Sequence, residues 1–317
     1  MSKAQEHWQR SADWIVKAYT GKFAPPIQRK EAAEDGSYLG RADTTGYKAL
    51  VMLALEHPLG EELLELVVEF LEEAEKRDDC WFYGKWGEVI SEEEILGQTF
   101  TNISYGVPED GSEPFHDEEL GRALRARYLF VFRWIESGER DLEILNLGIE
   151  RMRSWIDLQF NLPKGSPEKK RNFDGPTVHF HRLMLWALEG ERYDMALDYY
   201  RKYVKPEYQL SLPPVEWWKI ADQEHLYYLM AAHASGAADL SSFLTELTEA
   251  HYRRRIADVI EGEWNNHLDN SLLGLAYLRA KMAGAPTNPR QLLVGIRQES
   301  YEAVSYTHLT LPTKRIV

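Results

Sequence analysis

Three helical runs within residues 215–284 limit most tightly what this chain can fold into. Trp217, Ala221, His225, Tyr228 and Ala232 recur at three- and four-residue intervals in the first run. Leu240, Phe243, Leu244 and Leu247 do so in the second, and Leu273, Ala276, Tyr277 and Ala280 in the third. That spacing gathers side chains on one face of a helix, whereas a strand would need a period of two. Adjacent helices with such faces must bury them against one another. This stretch is therefore the expected packing centre of an all-α protein.

The rest of the chain reads the same way. Residues 3–20 form an amphipathic helix on Trp8, Ala12, Ile15 and Tyr19, stopped by Gly21 and the Pro25-Pro26 pair. Helices are expected over 47–55 and 61–76. The second has Leu64, Val67, Val68 and Leu71 on one face and Glu61, Glu62, Glu65, Glu69, Glu72 and Glu73 on the other. Ser91 to Glu94 has the form of a capping box, which predicts a helix starting at Ser91. Residues 120–137 follow, with Leu124, Tyr128, Val131, Phe132 and Ile135 on the apolar side, and 141–160 completes a helix hairpin. Residues 177–189 and 192–204 make another, joined at Gly190-Glu191.

Almost nothing reads as a strand. Helix pairs succeed one another at roughly 35–45 residues, the range of helical-repeat architectures, although no repeated signature recurs. The expected architecture is a series of antiparallel helix hairpins packed as an α/α array or partial toroid. Residues 1–298 are read as one all-helical domain. Its halves, 1–160 and 177–298, are joined by a Pro- and Gly-bearing linker at 161–176. The tail at 304–317, VSYTHLTLPTKRIV, is β-prone and unlike what precedes it. It resembles translated sequencing-adapter ends and is set aside. It carries Lys314 and Arg315 and no acid, so without it the net charge falls by two to −16.

Composition narrows the function classes. A chain of 317 residues with 44% hydrophobic content can bury a real core, and 10 Trp and 17 Tyr argue against disorder. The single cysteine, Cys80, excludes an internal disulfide and fits a reducing compartment. No apolar run approaches the roughly 20 residues of a membrane span, and the first residues lack a secretory apolar core. A soluble, cytoplasmic protein is expected. The net charge of −14 speaks against a direct nucleic-acid binder, which needs clustered Lys and Arg.

Residues that carry chemistry are scarce. His179 and His181 are two apart, which on a helix turns them about 200° from each other and prevents shared metal ligation. Asp222, Glu224 and His225 share a helical segment, but His225 also lies on the apolar stripe. His267 and Asp269 fall in a polar connection rich in Asn. Cys80, between Asp79 and Trp81, has no histidine beside it. No phosphate-binding, nucleophile-elbow or metalloprotease motif is present. No catalytic residue, metal or cofactor is expected.

The acids stand out instead. Ten of them lie between Trp86 and Gly121: Glu88, Glu92, Glu93, Glu94, Glu109, Asp110, Glu113, Asp117, Glu118 and Glu119, with no Lys or Arg among them. Asp117, Glu118 and Glu119 would open the next helix, where the dipole favours them.

Residues 226–284 resemble a bacterial all-helical immunity family, the one numbered 49 among toxin-neutralising immunity proteins. Ala250-His251-Tyr252 and Leu272-Leu273-Gly274-Leu275-Ala276 carry the likeness, and residues 180–200 look like the family's middle helices. The resemblance implies a non-enzymatic protein that binds and neutralises a cognate toxin, often a nuclease. A nuclease presents a basic surface to phosphate, onto which an acidic partner can steer. The ten acids are then the expected interface. The alternative is an α/α-toroid carbohydrate-active enzyme, with an aromatic cleft from residues 80–86 and Trp217-Trp218 and an acid/base pair drawn from Asp35, Asp43 and Asp174.

Overall fold

Apolar positions three and four apart build eleven helices among the residues described by the computed structural model, which are 2–20, 38–78, 87–95, 98–105, 118–161, 175–203, 223–237, 239–261 and 270–306. In chain order they are α1 (Lys3–Thr20), α2 (Tyr38–Ala54), α3 (Leu59–Lys76), α4 (Glu118–Ser137), α5 (Leu142–Asn161), α6 (Gly175–Glu189), α7 (Tyr193–Tyr203), α8 (Gln223–Ala234), α9 (Ser241–Glu261), α10 (Asn270–Met282) and α11 (Pro289–Tyr306). The protein is predominantly helical. No helix among the described residues is long and apolar enough to cross a membrane.

One element departs from the expected all-α reading. Gly87–Ile95 is a strand, β1, paired antiparallel with β2 at Gln98–Tyr105. The helix expected to start at Ser91 is not there. Val89, Ile90 and Ile95 lie in one segment, and Thr99, Phe100, Thr101, Ile103 and Tyr105 in the other. Both are rich in residues that suit a pleated ladder. Residues 96 and 97, between them in sequence, lie outside the described residues. A break in register between Val89 and Ser91 leaves Ile90 as the bulged position. The local Ser-x-x-Glu signal yields to strand-forming residues in both segments.

Four helices are buried nearly all round over their described side chains, which is the signature of a central element. In α4, Leu120, Leu124, Phe130, Val131, Trp134 and Ile135 are buried together with Arg125 and Arg127. Phe180, Leu183, Met184, Trp186 and Leu188 fill α6, and Leu272, Leu273, Leu275 and Tyr277 fill α10. Leu226 to Ala232 of α8 are all buried as well, so the packing centre is α4, α6, α8 and α10, and α8 and α10 belong to the stretch expected to hold it.

Sequence neighbours pack as pairs, α2 with α3 and α4 with α5, and α5 continues onto α6. The two ends of the described chain meet. The helix α11 packs on α1, α2 and α9, and Trp8 Nε1 donates to Ser300 Oγ at 2.7 Å across 292 positions. Arg290 of α11 donates to Ile135 O at 3.1 Å and forms an ion pair with Glu61. Pro289 opens α11 behind Asn288, whose Oδ1 accepts from the backbone N–H of Arg290 at 3.1 Å and of Gln291 at 3.2 Å. That is an N-cap followed by proline at the first helical position. The helix runs to Tyr306, three residues into the tail set aside at 304–317; residues 307–317 lie outside the described residues.

Gly138 ends α4 at φ +78°, donating its N–H to Trp134 O at 2.8 Å. A Cβ there would meet nothing within 4 Å, so only backbone strain opposes a side chain. Gly138→Ala is expected to lower stability by about 1 kcal/mol, read as a shifted urea midpoint. An unshifted midpoint would contradict the strain argument.

Candidate functional site

The acid-rich interval begins on the hairpin. Glu88, Glu92, Glu93 and Glu94 belong to β1, where Glu92 pairs with Thr101 and Glu94 with Thr99. Glu109, Asp110, Glu113 and Asp117 lie outside the described residues. Glu118 and Glu119 open α4, where the helix dipole favours them.

Both glutamates converge with Asp78, just past the end of α3, on Arg122. The guanidinium reaches Asp78 Oδ2 at 2.6 Å, Glu118 Oε2 at 3.2 Å and Glu119 Oε1 at 3.1 Å. Arg125 Nη1 lies 3.7 Å from Asp78 Oδ1 as well, so three carboxylates share two guanidinium groups at this junction. The hydrogen bond from Arg122 holds the Asp78 carboxyl below its ordinary range. One turn along α4, Arg125 Nη1 donates to Ala74 O at 2.9 Å, so a guanidinium caps the C-terminal carbonyls of α3. These bonds dock the acidic face of α3 beside the start of α4. Glu62, Glu65 and Glu75 stand exposed on α3, while its Leu63, Leu64, Val67, Val68 and Leu71 are buried. The candidate interface therefore runs from α3 across Asp78 to Glu118 and Glu119. Sequence order hid this, since Asp78 and Glu118 are separated by 40 positions.

The remaining candidates disperse. Asp43 is not beside a loop: it sits inside α2, and its Oδ1 accepts from Tyr128 Oη at 2.6 Å. Asp35, Cys80, Asp174, Trp217, Trp218, Asp222, His267 and Asp269 lie outside the described residues. Trp8, Trp134, Trp155 and Trp186 are core residues, each no more than 2% exposed.

His179 and His181 point to different surroundings, as the helical spacing requires. His179 is buried edge-on against Trp155, with ring centres 5.0 Å apart, and its Nδ1 lies 3.2 Å from Arg182 Nη1. His181 lines a cavity of about 290 Å³ with Arg182 from α6, Tyr227 from α8, Arg255 from α9 and Ser271 from α10. Leu185 and Leu275 form its apolar part. Burial is the first cause lowering the His179 imidazole to about 3, and Arg182 and His181 lower it further. His251 is lowered to about 4, by burial first and then by Arg255, Arg254 and His181. Two imidazoles are thus held neutral by their surroundings.

A second cavity of about 380 Å³ lies between α9, α10 and α11. Glu249 and Glu299 border it, and both bind Arg279, at 2.7 and 2.9 Å. The guanidinium stacks 4.3 Å over Tyr252, whose hydroxyl pKa burial pushes up. Two carboxylates held by one arginine do not form the acid/base pair of a glycosidase, which needs one protonated and one ionised group.

The chain matches no protein-family model, no curated protein and no solved structure.

Proposed function

We propose that this chain is a non-enzymatic immunity-type protein of the bacterial toxin-neutralising kind, which binds a basic toxin domain such as a nuclease. Its helices are read as an α/α array closed on itself by α11 against α1. The resemblance of residues 226–284 to the immunity family numbered 49 motivates the reading. One observation supports it most directly: Asp78, Glu118 and Glu119 converge on Arg122 and join the exposed acids of α3 to the start of α4. An acidic surface on a chain of net charge −14 attracts a cationic partner and competes with nucleic acid for the same groups.

The test is binding to the toxin-domain protein encoded beside this gene. Glu62→Gln, Glu65→Gln, Glu118→Gln and Glu119→Gln combined are expected to weaken that affinity about tenfold, mainly through association rate, and to flatten its dependence on salt. An unchanged affinity together with an unchanged salt slope would remove this surface from the interface. A neighbouring cluster of polysaccharide-degrading genes with no toxin domain would argue against the immunity reading itself.

A further inference from the structure

The cavity between α9, α10 and α11 is built from small and apolar residues around one fixed guanidinium. Gly284 closes α10 at φ +65° in a Schellman turn. The Ala285 N–H donates to Ala280 O at 2.9 Å, and the Gly284 N–H donates to Lys281 O at 3.2 Å. Pro286 follows and cannot continue the helix. The turn therefore holds Ala283, Ala285 and Pro286 as one rim of the cavity. Leu292 and Gly295 of α11 line the side facing α10, and a Cβ at Gly295 would meet nothing within 4 Å. Small residues on facing helices thus leave a space of about 380 Å³ that larger ones would close.

Arg279 gives this space its chemistry. Its Nε donates to Glu249 Oε2 at 2.7 Å, and its Nη1 donates to Glu299 Oε1 and Oε2 at 2.9 and 3.0 Å. The guanidinium plane is thus pinned along its edges from both α9 and α11. One of its faces lies over Tyr252, 4.3 Å from the ring centre. The side chain still keeps 31% of its surface exposed and borders the cavity. Among the described residues no second ring covers it. A guanidinium held flat beside an apolar space is a stacking platform for a planar ring. An anion is not suited to this wall, because Arg279 is the one cation among the described lining residues and both carboxylates already bind it. A dry apolar cavity of about 150 Å³ holds one benzene ring, so about 380 Å³ has room for two fused rings.

We propose that this cavity binds a small, uncharged, electron-rich aromatic molecule of one or two fused rings, its plane stacked on the Arg279 guanidinium opposite Tyr252. The rim at Ala283–Pro286 and the α11 residues Leu292 and Gly295 enclose the remainder of the ring system. The cavity shares no residue with the acidic surface of α3 and α4, so a failure here leaves the toxin reading untouched, and the reverse also holds.

The experiment is calorimetric titration of the full chain with indole, beside camphor as a nonplanar apolar molecule of similar size. Saturable binding of indole, about fivefold tighter than that of camphor, is the expected result. Gly295→Leu places a side chain in open space without a clash and is expected to abolish indole binding. Arg279→Lys keeps a charge between Glu249 and Glu299 but removes the plane, and is expected to weaken indole binding about fivefold. A cooperative urea transition checks that each variant is folded, and Arg279→Lys decides alone if Gly295→Leu lacks one. Indole that does not saturate would overturn the proposal. So would camphor binding as tightly as indole, or a folded variant of either kind binding indole like the wild type.

Discussion

Arg127→Met is expected to remove about 3–5 kcal/mol of folding stability, the usual cost of leaving a buried charge without its partner. Arg127 on α4 and Glu189 at the end of α6 are both 0% exposed, with Nη2 and Oε2 2.8 Å apart. The same Nη2 donates to Glu189 Oε1 at 3.1 Å and to Asn270 O of α10 at 3.3 Å. One guanidinium group therefore joins three of the central helices, α4, α6 and α10. Gly274 of α10 lets the carboxylate come close, since a Cβ there would lie 2.9 Å from Glu189 Oε1. Arg140 supports the other side, donating to Glu189 O at 2.6 Å and stacking 4.0 Å over Tyr277.

The pair is not fully satisfied. Arg127 Nε and Nη1 are buried with no hydrogen-bond partner. Burial pushes the Glu189 carboxyl up, more strongly than Arg127 and Arg140 pull it down. An incompletely bonded buried pair adds little net stability over an apolar replacement, although breaking it is costly. The double variant Arg127→Met/Glu189→Met should therefore regain most of what Arg127→Met loses. Urea unfolding of wild type, single and double variants measures this. A single variant that loses under about 1 kcal/mol, or a double no better than the single, would refute the assignment.

That pair also marks where the sequence stops being informative. Helix α3 was legible because its apolar and acidic residues segregate by period. Helix α4 misled. Leu124, Tyr128, Val131, Phe132 and Ile135 read as one apolar side, and nothing in that stripe marks Arg127 as a core residue. Arg127 is instead buried, because its counter-charge sits 62 positions away on α6 and periodicity carries no trace of a partner at that distance. The packing centre is wider than the stretch 215–284 for the same reason: its α8 and α10 are central, but they are joined there by α4 and α6. The hairpin was missed because a four-residue capping pattern was weighed above the β-rich residues flanking Leu96-Gly97. Helix α11 announced itself through Asn288-Pro289, a start signal left unread beside the anomalous tail. The cavity lined by His181, Arg182, Arg255 and Ser271 leaves no local motif at all, since these residues span some 90 positions.

Below about pH 6.5, stability is expected to fall by about 1.4 kcal/mol per pH unit for His179 and by less for His251. Both imidazoles have folded pKa values below the ordinary 6.5, about 3 and about 4. The unfolded chain then takes up protons that the folded chain refuses. Their stabilising contribution is complete above pH 6.5 and is lost as pH falls from there towards the folded values. Between pH 7 and pH 5 the loss is about 2 kcal/mol for a fully buried histidine, and His251, only partly covered, contributes the smaller part. Among the described residues, those acting on His179 include Trp155 of α5 and His181 and Arg182 of α6, and those acting on His251 include Tyr227 of α8, Arg254 and Arg255 of α9 and His181 of α6. None of them is an acid that would favour the imidazolium. Glu189, with its pKa raised, acts in the opposite sense, gaining stability as pH falls. Comparison with His179→Gln/His251→Gln cancels that contribution, because the Arg127–Glu189 pair is common to both proteins. The double variant should lose less stability than wild type between pH 7 and pH 5. Equal slopes in urea unfolding across that range would show that neither ring is held neutral by its surroundings.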